Sequence, residues 1–330
     1  METKKYNLLI LLLLISLIAC QSDESEPESG FNKVKEHSDI SFTEGMLYQS
    51  FSMGHEEILY SEQYRGAVKL ANIETQETQS INLASGAGPG EVGSIIGGAF
   101  SVEGSTVVAD PTNAKFIRIS EDGEKDDLTL DGHIPLDPIA MDKQTVVFRS
   151  QTNPASPVVL FNIQSEEFNE IEVDHGHDTD SGKINFLTDG RLDYNGTYLF
   201  YISLYGADVF VIDPSNREHI ATIDYDENEL EFASENQAPD FEFMLIDTAI
   251  HPETDNLLLL KGRREDSPAP YNRNILFELS IDDEKIINEY EFDYSVSAIF
   301  NDDDYLYTFS SDDWPHSDES SMIRQYEFSH

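Results

Sequence analysis

Six short runs of apolar and aromatic residues recur along the chain, with 40 to 59 residues between the centres of consecutive runs. A repeat of this length is typical of β-propellers, in which every unit forms one blade of four antiparallel strands. No long stretch shows the 3.6-residue period of an amphipathic helix, so the repeat is read as strands and turns. The runs are centred on Leu59, Val107, Val147, Phe200, Leu259 and Tyr307.

Each central run has a strand-like run before it and another after it, and five of the six units also have a fourth run. The sixth unit has no fourth run, because the chain reaches His330 directly after the third. An unpaired strand edge is a liability, so we expect residues 39–42 to pair with residues 322–328 as the missing strand. The sequence therefore predicts an all-β fold, a six-bladed propeller of four-stranded antiparallel blades whose ring is closed by an N-terminal strand.

Charge and cysteine content exclude several classes of function. With 20 Lys and Arg against 64 Asp and Glu, the net charge is −44. Binding to nucleic acid or to an anionic membrane surface needs clustered cations, so neither is expected. The single cysteine excludes an intrachain disulfide and a cysteine-based zinc site. The chain also lacks the GxSxG, HExxH and P-loop motifs.

The N-terminus has the features of an export signal. Lys4 and Lys5 precede an apolar stretch, which ends in Leu17-Ile18-Ala19-Cys20. This tetrapeptide resembles the lipobox of bacterial lipoproteins, which implies cleavage before Cys20 and acylation of its thiol and new amino group. The alternative is an ordinary signal peptide with an incidental cysteine. We predict a signal peptide at 1–19, a disordered acidic tether at 20–33 and a propeller at 34–330.

A glycine-rich segment carries a family resemblance. Together with three later positions, it resembles one blade of the six-bladed β-propeller lipoproteins of Bacteroidetes, which are related in shape to NHL-repeat and TolB-like propellers. Val92 stands where that family usually has an aromatic residue. The acidic tether also resembles the surface-export signal of Bacteroidetes lipoproteins, which implies an outer-membrane, surface-exposed protein. The matching residues are Gly86, Gly88, Pro89, Gly90, Glu91, Asp110, Asn113 and Gly123.

The longest predicted connections are those between the second and third strands of a blade and those between blades. In antiparallel blades both kinds emerge on one face, and binding residues tend to lie on such loops. We therefore expect a ligand or partner on this long-loop face. The alternative is that the aromatic residues pack on neighbouring blades and the arginines pair with Glu265 and Asp266. The candidate binding residues are Arg263, Arg264, Tyr271, Trp314 and His316.

One histidine-rich segment is a weak metal candidate. His175 and His177 lie on the same side of an extended chain, with Asp178 adjacent. Zinc would need a further ligand from elsewhere, and the alternative is a solvated loop. No cofactor is expected, and a divalent metal is the only one we retain as a candidate.

These features favour a lipid-anchored propeller of the cell envelope that binds or scaffolds without catalysis. Its expected partner is an outer-membrane or surface protein, or an extracellular polymer. The alternative function is a metal-assisted lyase or hydrolase that acts on an extracellular glycan or peptide.

Overall fold

The computed structural model describes most of residues 48–328, together with residues 31 and 32. No helix in this described part is long and apolar enough to cross a membrane. The structure does not describe residues 1–30, 33–47, 55–56, 63–66, 73–74, 76, 95, 103, 154, 176–188, 205–207, 226–242, 264–271, 293, 303, 311–321 and 329–330.

Six four-stranded antiparallel sheets follow one another along the chain as blades one to six. Blade one contains β2 (Tyr48–Gly54), β3 (Glu57–Glu62), β4 (Ala67–Asn72) and β5 (Thr78–Asn82). Blade two contains β8 (Gly98–Val102), β9 (Ser105–Asp110), β10 (Lys115–Ile119) and β11 (Lys125–Thr129). Blade three contains β12 (Pro135–Ala140), β13 (Thr145–Ser150), β14 (Val158–Asn162) and β15 (Glu167–Ile171).

Blade four contains β16 (Gly190–Tyr194), β17 (Leu199–Ser203), β18 (Asp208–Asp213) and β19 (Glu218–Asp224). Blade five contains β20 (Phe243–Ile250), β21 (Leu257–Arg263), β22 (Asn272–Ser280) and β23 (Lys285–Glu291). Blade six contains β24 (Ala298–Asn301), β25 (Leu306–Ser310) and β26 (Met322–Phe328), with β1 (Phe31–Asn32) at its outer edge. Between blades one and two, β6 (Ala84–Ser85) and β7 (Glu91–Val92) form a small parallel pair.

The six sheets form a ring. The first strand of each blade contacts the first strand of the next, and β24 contacts β2 to complete the circle. Among the described residues, six clusters of buried apolar side chains each lie between two neighbouring blades. This packing covers both faces of the second strands and forms the hydrophobic core of the ring. The predicted six-bladed propeller is confirmed.

The position of each strand within its blade explains the repeat. In blade three, β13 is almost wholly buried, whereas four of the five residues of the outer strand β15 are exposed or half-buried. The second strand lies between two other strands and has packed blades on both faces, so its sequence is a continuous apolar run. These second strands are the six runs that dominate the sequence pattern.

A two-residue strand from the N-terminal part of the chain, β1, lies at the outer edge of the sixth blade. Phe31 pairs with Phe328 and Asn32 pairs with Glu327, in antiparallel register. Both residues fall at the end of the range 20–33 that the sequence analysis assigns to the tether. Residues 39–42, the predicted partner of β26, lie outside the described residues. The contribution of an N-terminal strand to ring closure stays a prediction.

Candidate functional site

The strands around the axis of the ring differ sharply in charge. The inner strands of blades six, one and two contain no Asp, Glu, Lys or Arg. The inner strands of blades three, four and five contain Asp137, Arg191, Asp193 and Asp247. Charged residues are rare in the interior unless they are paired or serve a function. The charges therefore mark one half of the ring for closer inspection.

Asp137 lies at the centre of this charged group. It occupies a register shift in β12, between Leu136 and Ile139, and its φ is 47°. A bulge of this kind redirects a side chain out of the regular alternation of a strand. One Asp137 carboxylate oxygen lies 2.6 Å from Arg191 Nη1 and the other lies 3.2 Å from Arg149 Nη2. The carboxylate thus joins two guanidinium groups from neighbouring blades.

The two arginines extend the network in opposite directions. Arg149 Nη1 lies 2.8 Å from Asp189 Oδ1, and the Arg149 side chain is only 7% exposed. Arg191 donates from Nε and Nη2 to the Ile246 carbonyl oxygen, at 3.4 and 3.3 Å, and its Nε lies 3.9 Å from Asp247 Oδ1. The nearby Asp137 carboxylate raises the pKa of Arg191, so this group stays charged.

Two further carboxyl groups lie beyond the arginines. Burial raises the pKa of Asp193 from 3.8 to about 7, against the opposing effect of hydrogen bonds from Tyr194 N–H and the Thr248 hydroxyl. Burial likewise raises the pKa of Asp247 to about 6, although Arg191 lowers it and Ile299 N–H donates to Oδ2 at 3.0 Å. Carboxyl groups that titrate near neutrality can take and release protons, and they are concentrated at functional sites.

We call these six side chains the axial cluster. Arg149 is the fifth residue of β13, next to the strand end that leads into residues 151–157, and Asp189 directly precedes β16. Both strand ends belong to the predicted long-loop face, so Arg149 and Asp189 lie at the end of the cluster nearest that face. Asp193 lies four residues after Asp189, and therefore deeper along the axis. The cluster consists of Asp137, Arg149, Asp189, Arg191, Asp193 and Asp247.

A glycine permits the close approach of strands that the cluster needs. A Cβ atom at Gly190 would lie 2.5 Å from the Ile202 carbonyl oxygen and 2.6 Å from the Tyr201 ring. Real Cβ atoms do not come this close to a backbone oxygen, so only glycine fits between Asp189 and Arg191 without a backbone shift.

The glycine-rich segment of the family resemblance is held by a separate network. Glu91 Oε2 accepts a hydrogen bond from Gly88 N–H at 2.9 Å, within the turn itself. Lys115 donates to the Gly88 carbonyl oxygen at 2.9 Å and forms a 2.7 Å ion pair with Asp127. Asp127 in turn accepts from Gly90 N–H. These contacts fix the connection between blades one and two onto blade two.

The later positions of the same motif complete this network. Asn113 donates to the Gly86 carbonyl oxygen at 2.9 Å and to Asp110 Oδ2 at 2.7 Å. Asp110, which is fully buried, also accepts from Gly93 N–H. Gly123 has a φ of 83° in the turn before β11, a backbone conformation that suits glycine. These contacts attach the motif to blade two.

Most of the predicted binding and metal residues lie where the structure gives no description. Arg263 is the last residue of β21, and its backbone pairs with Asn272. His175 is buried and makes edge contacts with the rings of Tyr201 and Phe210. Among the described residues, no group of three or more His, Cys, Asp or Glu side chains is arranged to hold a metal ion. Cys20, His177, Asp178, Arg264, Tyr271, Trp314 and His316 lie outside the described residues.

Sequence reasoning missed the axial cluster. Asp137, Arg191, Asp193 and Asp247 each lie in a run predicted as the first strand of a blade, whereas the predicted binding residues lie in predicted loops. The sequence did contain one signal of this cluster: charged residues occur in the predicted first strands of only some of the blades. Arg149 and Asp189 lie in different blades, so their contact with each other could not be found without the tertiary structure.

Comparison with known proteins places this fold among six-bladed propellers. Regucalcin from Agrobacterium tumefaciens, a calcium-binding protein, is 8% identical with a TM-score of 0.54, over 87% of this chain and 94% of its own. A luciferin-regenerating enzyme is 10% identical with a TM-score of 0.54, over 86% and 92%. A streptogramin B lyase is 9% identical with a TM-score of 0.51, over 88% and 97%. At such identities the likeness concerns the fold alone.

No protein-family model and no curated protein sequence matches the chain.

Proposed function

We propose that this protein is a lipid-anchored propeller of the cell envelope that binds a ligand or partner at the axial cluster, without catalysing a reaction. The observation that carries the proposal is the concentration of ionisable side chains at the axis of blades three to five. Three of these side chains are partly exposed to solvent: the exposed fraction is 31% for Asp189, 29% for Arg191 and 24% for Asp247. Part-exposed charges on a rigid scaffold are suited to recognising a polar group.

A purely structural network would look different. The cluster has four carboxyl groups and two guanidinium groups, so ion pairing within it leaves an excess of negative charge. Two partly buried carboxyl groups, Asp193 and Asp247, have raised pKa values and weaken the folded state at neutral pH. Side chains that cost stability are commonly kept where a site needs them.

Binding is tested by capture from the envelope. The purified protein, its Arg191→Gln variant and an Arg118→Gln control are immobilised and exposed to solubilised outer membrane and to extracellular polymer. Arg118 is a matched control, because it forms an exposed ion pair with Asp126 on the outer strands of blade two. We expect capture to fall at least about tenfold for Arg191→Gln only, which corresponds to about 1.4 kcal/mol. Equal capture by all three proteins contradicts the proposal.

The anchor is tested separately. Cys20→Ser removes the only thiol of the chain, so the protein should lose incorporation of a labelled fatty acid and leave the membrane fraction. A variant that stays in the membrane fraction after a high-salt wash disproves the lipoprotein prediction. Protease treatment of intact cells tests surface exposure, since only a surface-exposed propeller is reached.

An enzyme remains the second candidate function. Asp193 and Asp247 titrate near neutrality, which suits general acid and base catalysis, and a lyase is among the proteins of similar fold. A metal-assisted lyase or hydrolase acting on a glycan or peptide would use them to move a proton. The assay measures product formation from envelope glycan or peptide. An enzyme of this kind forms product, loses activity in both Asp193→Asn and Asp247→Asn, and changes activity when calcium or a chelator is added. A binding protein forms no product.

A further inference from the structure

The N-terminal part of the chain reaches the propeller at one particular face. The turns from first to second strand and from third to fourth strand of a blade lie opposite the long-loop face, and we call their side the short-turn face. The third strand of blade six, β26, ends at Phe328, which therefore lies at the short-turn face. Phe31 pairs with Phe328, and Asn32 pairs with Glu327. The chain thus enters β1 from the short-turn side, at the outer edge of blade six.

The predicted lipid anchor is close to this point along the chain. Ten residues, 21–30, separate Cys20 from Phe31. A flexible chain of ten residues has a root-mean-square end-to-end distance of about 16–19 Å. The seven residues of β26 span about 23 Å between the two faces of blade six. An anchor on the long-loop side would stretch the tether beyond its average length, so a lipid on Cys20 favours the short-turn face towards the membrane.

The same side of the ring carries two exposed isoleucines. In the described part of the chain, the exposed large apolar side chains are Ile220, at 50%, and Ile287, at 40%. Each is the third residue of the outer strand of its blade, directly after a short turn. Each is also the extra residue at a register shift in that strand. A single exposed isoleucine needs no explanation, but the same bulged position in two neighbouring blades places both at one rim.

Charge decides which surface this rim can contact. Arg217 and Lys285 are exposed and lie within three residues of the isoleucines, so their long side chains can reach lipid phosphate groups. The net charge of −44 disfavours contact with a second copy of this chain and with anionic lipid. A zwitterionic lipid surface, which the anchor keeps nearby at high effective concentration, is the occupant that these features favour.

We propose that the short-turn rim of blades four to six rests on the lipid surface, with Ile220 and Ile287 in the headgroup layer. This inference rests on the proposed lipid anchor. Each isoleucine contributes at most about 1.5–3 kcal/mol, so the two orient an anchored propeller but do not hold a free one on the membrane. The long-loop face, with Arg149 and Asp189 nearest to it, then points away from the membrane towards incoming partners.

The test measures the distance of three labels from the membrane. Cys20 is the only cysteine of the chain, and acylation blocks its thiol, so an introduced cysteine takes a donor dye specifically. The lipidated full chain is reconstituted in phosphatidylcholine vesicles that contain an energy-acceptor lipid. The dye is placed on Asp282→Cys, Gln164→Cys or Gln151→Cys, all at exposed positions. Gln164 and Gln151 are a matched pair at the short-turn and long-loop ends of blade three.

We expect the Asp282→Cys label, in blade five, to lie nearest the membrane. The Gln151→Cys label should lie about 20 Å farther away than the Gln164→Cys label, which is the length of the six-residue strand β13. Replacing both isoleucines with serine should move the Asp282→Cys label outward by about 5 Å. Replacing both with valine, which is also apolar, should leave it in place. A melting curve by circular dichroism shows that each variant is folded.

Four outcomes overturn the inference. Equal distances for Gln164→Cys and Gln151→Cys show no preferred face, and a nearer Gln151→Cys label shows the opposite orientation. An unchanged distance after the serine substitutions shows that the isoleucines do not contact lipid. A distance that changes with the protein-to-lipid ratio indicates a second copy at this rim. The proposed function stands through all four if Cys20 incorporates fatty acid and capture depends on Arg191; without acylation of Cys20, both fail.

Discussion

Replacing Asp193 with Asn should stabilise the protein, and the gain should depend on pH. In the folded chain, burial raises the pKa of Asp193 from 3.8 to about 7. Between these two values the folded state holds a proton that the unfolded state has released. The wild-type free energy of unfolding therefore falls as pH rises from about 4 to 7, and the loss is complete above about pH 8. Asn cannot ionise, so the variant avoids this loss.

The magnitude follows from the pKa difference. One pKa unit corresponds to about 1.4 kcal/mol, so a difference of about three units gives an upper limit of about 4 kcal/mol. Asp193 is only partly buried, and residual hydration lowers the cost of its charge. We therefore expect Asp193→Asn to raise the free energy of unfolding by about 2 kcal/mol at about pH 8 and by less than about 0.5 kcal/mol at about pH 4.5.

The assay is urea unfolding followed by far-ultraviolet circular dichroism at several pH values. Many other carboxyl groups also titrate, so the quantity of interest is the difference between variant and wild type at each pH. Asp126→Asn is the matched control, because Asp126 is 60% exposed on the outer strand of blade two and surface changes usually stay within about 0.5 kcal/mol. A variant that is equally destabilised at all pH values would refute the reasoning, since Asp193 would then act through its hydrogen bonds alone.

Three further predictions concern the scaffold. Gly190→Ala should lower the free energy of unfolding by about 2 kcal/mol in the same assay, because its Cβ would lie 2.5 Å from the Ile202 carbonyl oxygen; an unchanged unfolding midpoint contradicts this. Glu278→Ala should lower the free energy of unfolding by about 3 kcal/mol at neutral pH, because this buried carboxylate accepts three 2.7 Å hydrogen bonds from Asn and Tyr side chains of blade five. A loss below about 1 kcal/mol would show that water replaces the carboxylate as the acceptor. Deleting residues 21–32 should lower the melting temperature by several degrees, because this deletion removes β1. Deleting residues 21–30 leaves β1 in place and should not change the melting temperature. Equal melting temperatures for the two deletions exclude a role of β1 in closing the ring.

Much of the fold follows from the sequence because each blade repeats a local pattern. The second strands, such as β13 and β17, have both faces covered by neighbouring blades, so their apolar runs are the most visible feature of the chain. The glycine-rich motif at Gly86–Glu91 could also be found, because the residues that close its turn are near neighbours in the chain: Gly88 N–H donates to Glu91 Oε2, and Glu91 N–H donates to the Gly88 carbonyl oxygen. Strand β1 could not be predicted from the sequence, because two residues are too few to show the alternation of a strand and so to be distinguished from a tether.

The candidate site depends on the tertiary structure. Sequence alone determined a ring of six antiparallel blades, the chain's strong negative charge and the residues from which an anchor is predicted. It did not bring Arg149 and Arg191 to the same carboxylate, because Asp137 is 12 and 54 residues away from them. Only the packing of blade three against blade four brings these residues together at the axis. Burial there raises the pKa of Asp193, and its effect depends on the surrounding blades rather than on neighbouring residues in the chain.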